Sequence, residues 1–141
     1  MAKTARIRLG AATDNPLALL QHARRGIEEA RRRGDSTALR EAAEMGWLAA
    51  SSTADVVAAK LGQKVPKGAS GRRAVLVDLE DRARLRRGTL IGPFEAARTV
   101  LHGECFHGDE CDPRSIDGII NGVQDLATTA LRAAPKRSRR G

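Results

Sequence analysis

From Leu39 to Leu61 the apolar positions step by three or four: Leu39, Ala43, Trp47, Ala50, Ala54, Val57 and Leu61. One helix face has that period, so a single long helix is predicted, capped by Asp35 or Ser36 and ended before Gly62. Upstream, Asp14-Asn15-Pro16 is an acidic cap with a first-turn proline. It opens a helix carrying Leu17, Leu20 and Ile27 and ending at Gly34. The two-residue connection Gly34-Asp35 folds these helices into an antiparallel hairpin. GQKVPKGASG, residues 62–71, is a loop by composition; its glycines are mis-spaced for a phosphate-binding loop, and no Gly-Lys-Ser/Thr follows. A third helix is expected over residues 72–87. Val75, Leu76, Leu79 and Ala83 face inward there; Arg72, Arg73, Arg82, Arg84, Arg86 and Arg87 face mostly outward. A fourth begins near Gly92-Pro93, with Ile91, Phe94, Ala97, Leu101 and Cys105 as its buried stripe. Asp112-Pro113 starts a fifth, carrying Ile116, Ile119, Ile120, Val123, Leu126 and Leu131 and closed by Pro135. There is no strand alternation, heptad run or repeat of fixed period. The reading is all-α: an antiparallel bundle of about five helices in one domain, residues 14–134.

Composition agrees. The chain has 141 residues, 41% hydrophobic, with the apolar weight in Ala, Leu and Val and only 2% aromatic. That suits helices and a real core. No apolar run approaches the length of a membrane span, and the start MAKTARIRLGAATD has no apolar signal core. With two cysteines, the expectation is a cytoplasmic protein whose thiols stay free or bind metal.

The net charge is +8, and its position matters more than its size. Lys3, Arg6 and Arg8 in a basic extension (1–13), with Lys136, Arg137, Arg139 and Arg140 in a basic tail (135–141), supply seven of the eight charges. These ends are candidates for gripping nucleic-acid phosphate, acidic lipid or an acidic protein without sequence choice. Within the body, Arg24-Glu28, Arg25-Glu29, Glu28-Arg32 and Glu29-Arg33 are spaced for i,i+4 ion pairs, so the arginines of the first helix read as a solvated face. Trp47, the single tryptophan, reads as a core plug among alanines.

The densest chemistry is RTVLHGECFHGDEC, residues 98–111. Arg98 and His102 are four apart on one helix face, and Glu95 lies three before Arg98. In a structural role, Glu95 and Arg98 pair as ions and His102 shields the bundle edge near a helix C-terminus. As catalysts, His102 is a general acid or base, Arg98 stabilises charge on a phosphate, and Glu95 orients the pair. As metal ligands, His102, Cys105, His107 and Cys111 have the chemistry of a zinc set, but their spacing matches no known finger or knuckle. No cofactor is called for. Asp109, Glu110 and Asp112 precede a helix N-terminus, where negative charge is favoured.

The segments GDSTALREAAEMGWLAASSTADVVAA and TVLHGECFHGDECDPRSIDGIINGVQDLATTAL together resemble HEPN-like proteins of the PaREP type. Those proteins carry an alanine-rich second helix with a lysine or glutamate ahead of a glycine–tryptophan or similar step. They also carry a Leu-His-x-x-aromatic-aromatic segment, here Leu101 to His107 with Cys105 at the first aromatic place. The likeness spans about residues 15–133. It implies a bundle of four or more helices, commonly a homodimer. Active relatives are metal-independent ribonucleases of toxin–antitoxin, phage-defence or CRISPR systems. Their mark is Arg, four to six residues, then His. Here three residues separate Arg98 from His102 and eight separate Arg98 from His107, and the polar residue after the arginine is Thr99. The leading expectation is therefore a dimeric, non-catalytic interaction or nucleic-acid-binding module. A metal-independent endoribonuclease using His102 with Arg98 is the alternative, and an assembly subunit docking a protein partner through its basic tail is a third.

Overall fold

The computed structural model describes residues 15–136. They form a helical bundle of five helices, and no strand occurs among them. The helices are α1 Pro16–Arg33, α2 Ser36–Lys60, α3 Ala69–Arg82, α4 Ile91–Ala96 prolonged by a π-helix Ala97–His107, and α5 Pro113–Ala133. None is long and apolar enough to cross a membrane.

The starts follow from local chemistry. Asn15 accepts from the Leu17 N–H, Asp35 from Ala38 and Asp112 from Arg114, each filling a donor that the first turn leaves open. Pro16 and Pro113 sit where a helix needs no N–H. Asp14, expected to share the first cap, lies outside the described residues, as do Lys3, Arg6, Arg8, Arg137, Arg139 and Arg140. Lys136 is described and exposed.

Helix α2 is the centre of the bundle and packs against α1, α3, the π-helix and α5. Its alanines permit close approach on several sides: Ala43, Ala49, Ala50, Ala54 and Ala58 are fully buried. Gly46 is closest of all. A methyl group there would lie 2.5 Å from Ile120 Cδ1 and 2.9 Å from Leu101 Cδ1. Trp47 is 7% exposed and belongs to the core, as its place on the stripe predicts. Phe94, Leu101, Ile116, Ile120, Val123 and Leu126 complete one apolar cluster to which all five helices contribute. Each such side chain is worth about 1.5–3 kcal/mol of transfer free energy. Leu17 and Val65 are the large apolar side chains left exposed among the described residues.

Three local expectations need correction. The third helix starts three residues early and stops at Arg82 rather than near residue 87, because the Glu80 carboxylate draws the following backbone into a turn. The fourth is α-helical only to Ala96. Of the four ion pairs expected along α1, Arg33–Glu29 forms at 3.5 Å. Arg32 reaches Glu29 at i,i+3 instead, Arg24 bonds Asn121 of α5, and Arg31 bonds Asp117 at 2.9 Å. Packing against α5 redirects Arg24 and Arg31, and Glu29 is shared by Arg32 and Arg33.

Glu80 is the polar residue that the outward arginines of α3 concealed. It is 2% exposed. Its carboxylate accepts from the N–H groups of Gly88 (3.1 Å), Leu90 (2.8 Å) and Ile91 (3.0 Å). A buried carboxylate is tolerated where donors surround it. Here they fix the α3–α4 loop and serve open donors at the start of α4.

Candidate functional site

Arg40, Glu44 and Trp47 recur at i, i+4 and i+7 on α2, so they share one face. That face meets the π-helix. There the chain closes longer rings than an α-helix; the Gly108 N–H, for example, donates to the Gly103 carbonyl at 2.8 Å. Arg40 fastens its end. Nε donates to the Cys105 carbonyl at 3.2 Å and Nη2 to the Phe106 carbonyl at 2.7 Å, while Nε lies 3.6 Å from Asp109 Oδ1. A cation on helix C-terminal carbonyls satisfies both their open lone pairs and the local dipole.

His102 sits in the middle of this junction. Its Nδ1 donates to Glu44 Oε1 at 2.8 Å. A carboxylate only accepts, so the Nδ1 position carries the proton and Nε2 is left as the free ring position. The His102 side chain is 34% exposed and that of Glu44 19%, so the pair is half-sheltered yet reachable. Trp47 backs it, with ring centroids 5.5 Å from His102 and 5.2 Å from Phe94. On the other side Phe106 lies nearly parallel to His102, with centroids 6.3 Å apart. His107 stands edge-on to both rings, at 4.5 and 5.0 Å. His107 is exposed and Phe106 half-buried. The junction thus presents two imidazoles and a benzene ring at the surface over a tryptophan floor.

Arg98 and Glu95 belong to a different network. Glu95 lies 3.6 Å from Arg98 Nη1 and 3.2 Å from Arg73 Nε on α3. It bridges two arginines and ties α3 to α4. Glu95 thus pairs with Arg98, as expected of it in a structural role, while the His102 ring is held by Glu44. No hydrogen bond or ion pair joins Arg98 to His102 among the described residues.

The cysteines depart from expectation most sharply. Cys105 and Cys111 form a disulfide. Neither is a free thiol, and neither offers a thiolate to a metal. Cys105 is on the buried stripe, as predicted, and Cys111 packs half-buried against the same core. The chain folds back after His107 through Gly108 and Asp109, whose φ is 59°, and that brings Cys111 to its partner. No group of three or more His, Cys, Asp or Glu side chains is arranged to hold a metal ion among the described residues.

Glu44 and Arg40 are not among the site residues expected from the sequence. Their signal was present: two charged side chains one turn apart, in register with Trp47, on the alanine-rich helix. It becomes a site only when the π-helix is laid against that face.

No family model, curated protein or solved structure matches the chain.

Proposed function

We propose that this chain is a HEPN-like helical module that binds nucleic acid without cutting it. The observation that carries the reading is the division of Arg98 and His102 between two acids, Glu95 and Glu44. Cutting RNA at such a centre needs a cation beside the imidazole to take up charge developing on phosphate. Arg98 is turned to Glu95, and Arg40 is bound to two main-chain carbonyls. What the junction offers is surface chemistry. Phe106, His102 and His107 provide flat rings for an unstacked base. The resemblance of the second helix and of the Leu101–His107 segment to HEPN-like proteins supports the same class. The homodimer implied by that resemblance belongs to this proposal, and native mass measurement reads it directly. So does nucleic-acid contact through the basic ends, read by truncating the chain after Pro135.

The test is a labelled RNA incubated with the protein in EDTA. The expected result is retarded but intact RNA, with retardation weakened by His102→Ala. Cleavage that His102→Ala abolishes overturns the non-catalytic reading.

One observation favours the second reading, a metal-independent endoribonuclease. The His102–Glu44 pair has the form of an oriented general base, with Nδ1 held and Nε2 free. On that reading Glu44→Gln and His102→Ala both lose cleavage.

A further inference from the structure

Three helices of this protein end in the same way. After α1, the Asp35 N–H reaches the Ala30 carbonyl at 2.9 Å and the Gly34 N–H reaches Arg31 at 3.2 Å. After α2, Gln63 reaches Ala58 at 2.8 Å and Gly62 reaches Ala59 at 3.1 Å. After α3, Leu85 reaches Glu80 at 2.9 Å and Arg84 reaches Asp81 at 3.2 Å. This paired closure places its pivot residue in the left-handed region, where a side chain crowds the backbone. The pivot φ values are 62°, 73° and 56°. Two pivots are the expected glycines, Gly34 and Gly62. The third is Arg84. A strained residue where the chain elsewhere uses glycine is a departure of the kind that clusters at functional positions.

Charge at the same place gives an independent observation. Most described arginines have side-chain or carbonyl partners: Arg24, Arg31, Arg32, Arg33, Arg40, Arg72, Arg73, Arg82 and Arg98. Arg84, Arg86 and Arg87 are exposed and have none among the described residues; Arg25, Arg114 and Arg132 share that state, but they are scattered over α1 and the two ends of α5, whereas Arg84, Arg86 and Arg87 fall within four positions. Arg82 is engaged by Asp78 at 3.1 Å, and Asp81, the nearest acid in sequence, forms no ion pair with the three. These cations are carried on a loop held from inside. Glu80 binds the N–H groups of Gly88, Leu90 and Ile91, and Thr89 Oγ1 donates to the Arg86 carbonyl at 2.7 Å. Uncompensated guanidinium groups on a fixed backbone bind phosphate at the cost of ordering their side chains alone.

We propose that the α3–α4 loop is a phosphate-backbone contact for nucleic acid, made by Arg84, Arg86 and Arg87. It rests on the nucleic-acid reading above and adds a surface distinct from the His102 junction. Such contacts position a strand without reading its sequence. The loop therefore contributes similarly for RNA and DNA, and its contribution fades with salt.

The test compares wild type, Arg84→Gly and the triple variant Arg84→Gly/Arg86→Ala/Arg87→Ala, on mixed-sequence RNA and DNA oligonucleotides across a salt series. The triple variant is expected to lose roughly tenfold or more in affinity at low salt. Its slope of log affinity against log salt should flatten by about 2–3. Arg84→Gly is expected to raise Tm by roughly 2–5 °C while weakening binding, since it relieves the strained pivot and removes one contact. Wild-type affinity and slope in the triple variant overturn the loop proposal and leave the nucleic-acid reading standing. A wild-type protein that binds neither oligonucleotide overturns both.

Discussion

Nδ1 of His102 and Oε1 of Glu44 stand 2.8 Å apart across a sequence separation of 58 residues, and this bond joins the long alanine helix to the π-helix. If it holds the junction together, it should appear in thermodynamics as well as in geometry. A double-mutant cycle on Glu44→Gln and His102→Ala, followed by urea unfolding, should give a coupling of about 0.5–1.5 kcal/mol. Additive effects of the two changes would show that the bond contributes nothing to stability.

Glu80→Ala should be among the more damaging single changes in α3. It leaves the N–H groups of Gly88, Leu90 and Ile91 without their acceptor. Each unsatisfied donor costs about 1–3 kcal/mol when buried, and water entering the loop will recover part of that, so about 2–4 kcal/mol in total is expected. Glu80→Gln keeps one acceptor oxygen and should fall between. Chemical denaturation of the three proteins orders them directly.

The Cys105–Cys111 bond closes a small ring, with a sequence separation of 6. By chain entropy alone a ring of that size is worth about 2 kcal/mol. Reduction, or Cys111→Ser, should lower Tm accordingly. Alkylation should label two thiols after reduction and none before, read by intact mass. Labelling of unreduced protein would show that the thiols are free.

Asp78 predicts an acid response. Hydrogen bonds from Arg82 and then Gln63 hold its carboxyl below the ordinary aspartate range. A carboxyl depressed in the folded state adds stability above its unfolded value and loses it as pH falls through the folded one. The Asp78→Asn variant should therefore be less stable than wild type near neutrality, and the gap should close on acidification. The group is about one-third exposed, so the effect will be a few tenths of a kcal/mol. A Tm difference independent of pH would exclude the linkage.

The helices were legible because their signals are local. Asp35, Pro16, Pro113, Gly34 and the Leu39–Leu61 stripe each act within a turn or two, and each gives the element it predicts. The end of α3 was not legible, since the residue that stops it acts through backbone donors eight to eleven positions on. Nothing in residue type or spacing sets Glu80 apart from Asp78 and Asp81 beside it. The π-helix has no pattern of its own, because the stripe Phe94, Ala97, Leu101, Cys105 suits either winding. Half of the candidate site was visible: His102 could be picked out by residue type, whereas Glu44 and Arg40 acquire meaning only through contacts between residues some 60 positions apart. The disulfide escaped a reading that took two cysteines and no export signal as a reducing setting. Its geometry depends on a reversal at Gly108-Asp109 that spacing alone does not show.

The π-helix has a consequence for how this protein can vary. Its turns hold more residues than an α-helix needs, so removing one residue between Ala97 and His107 would let one of its turns close the ordinary ladder. Everything beyond the deletion would rotate, carrying His102 or Phe106 off the Glu44 face. Changes in chain length here therefore act on core and junction together, since Leu101 and Cys105 turn with His102, and counting residues from arginine to histidine is a poor ruler for distance along this stretch.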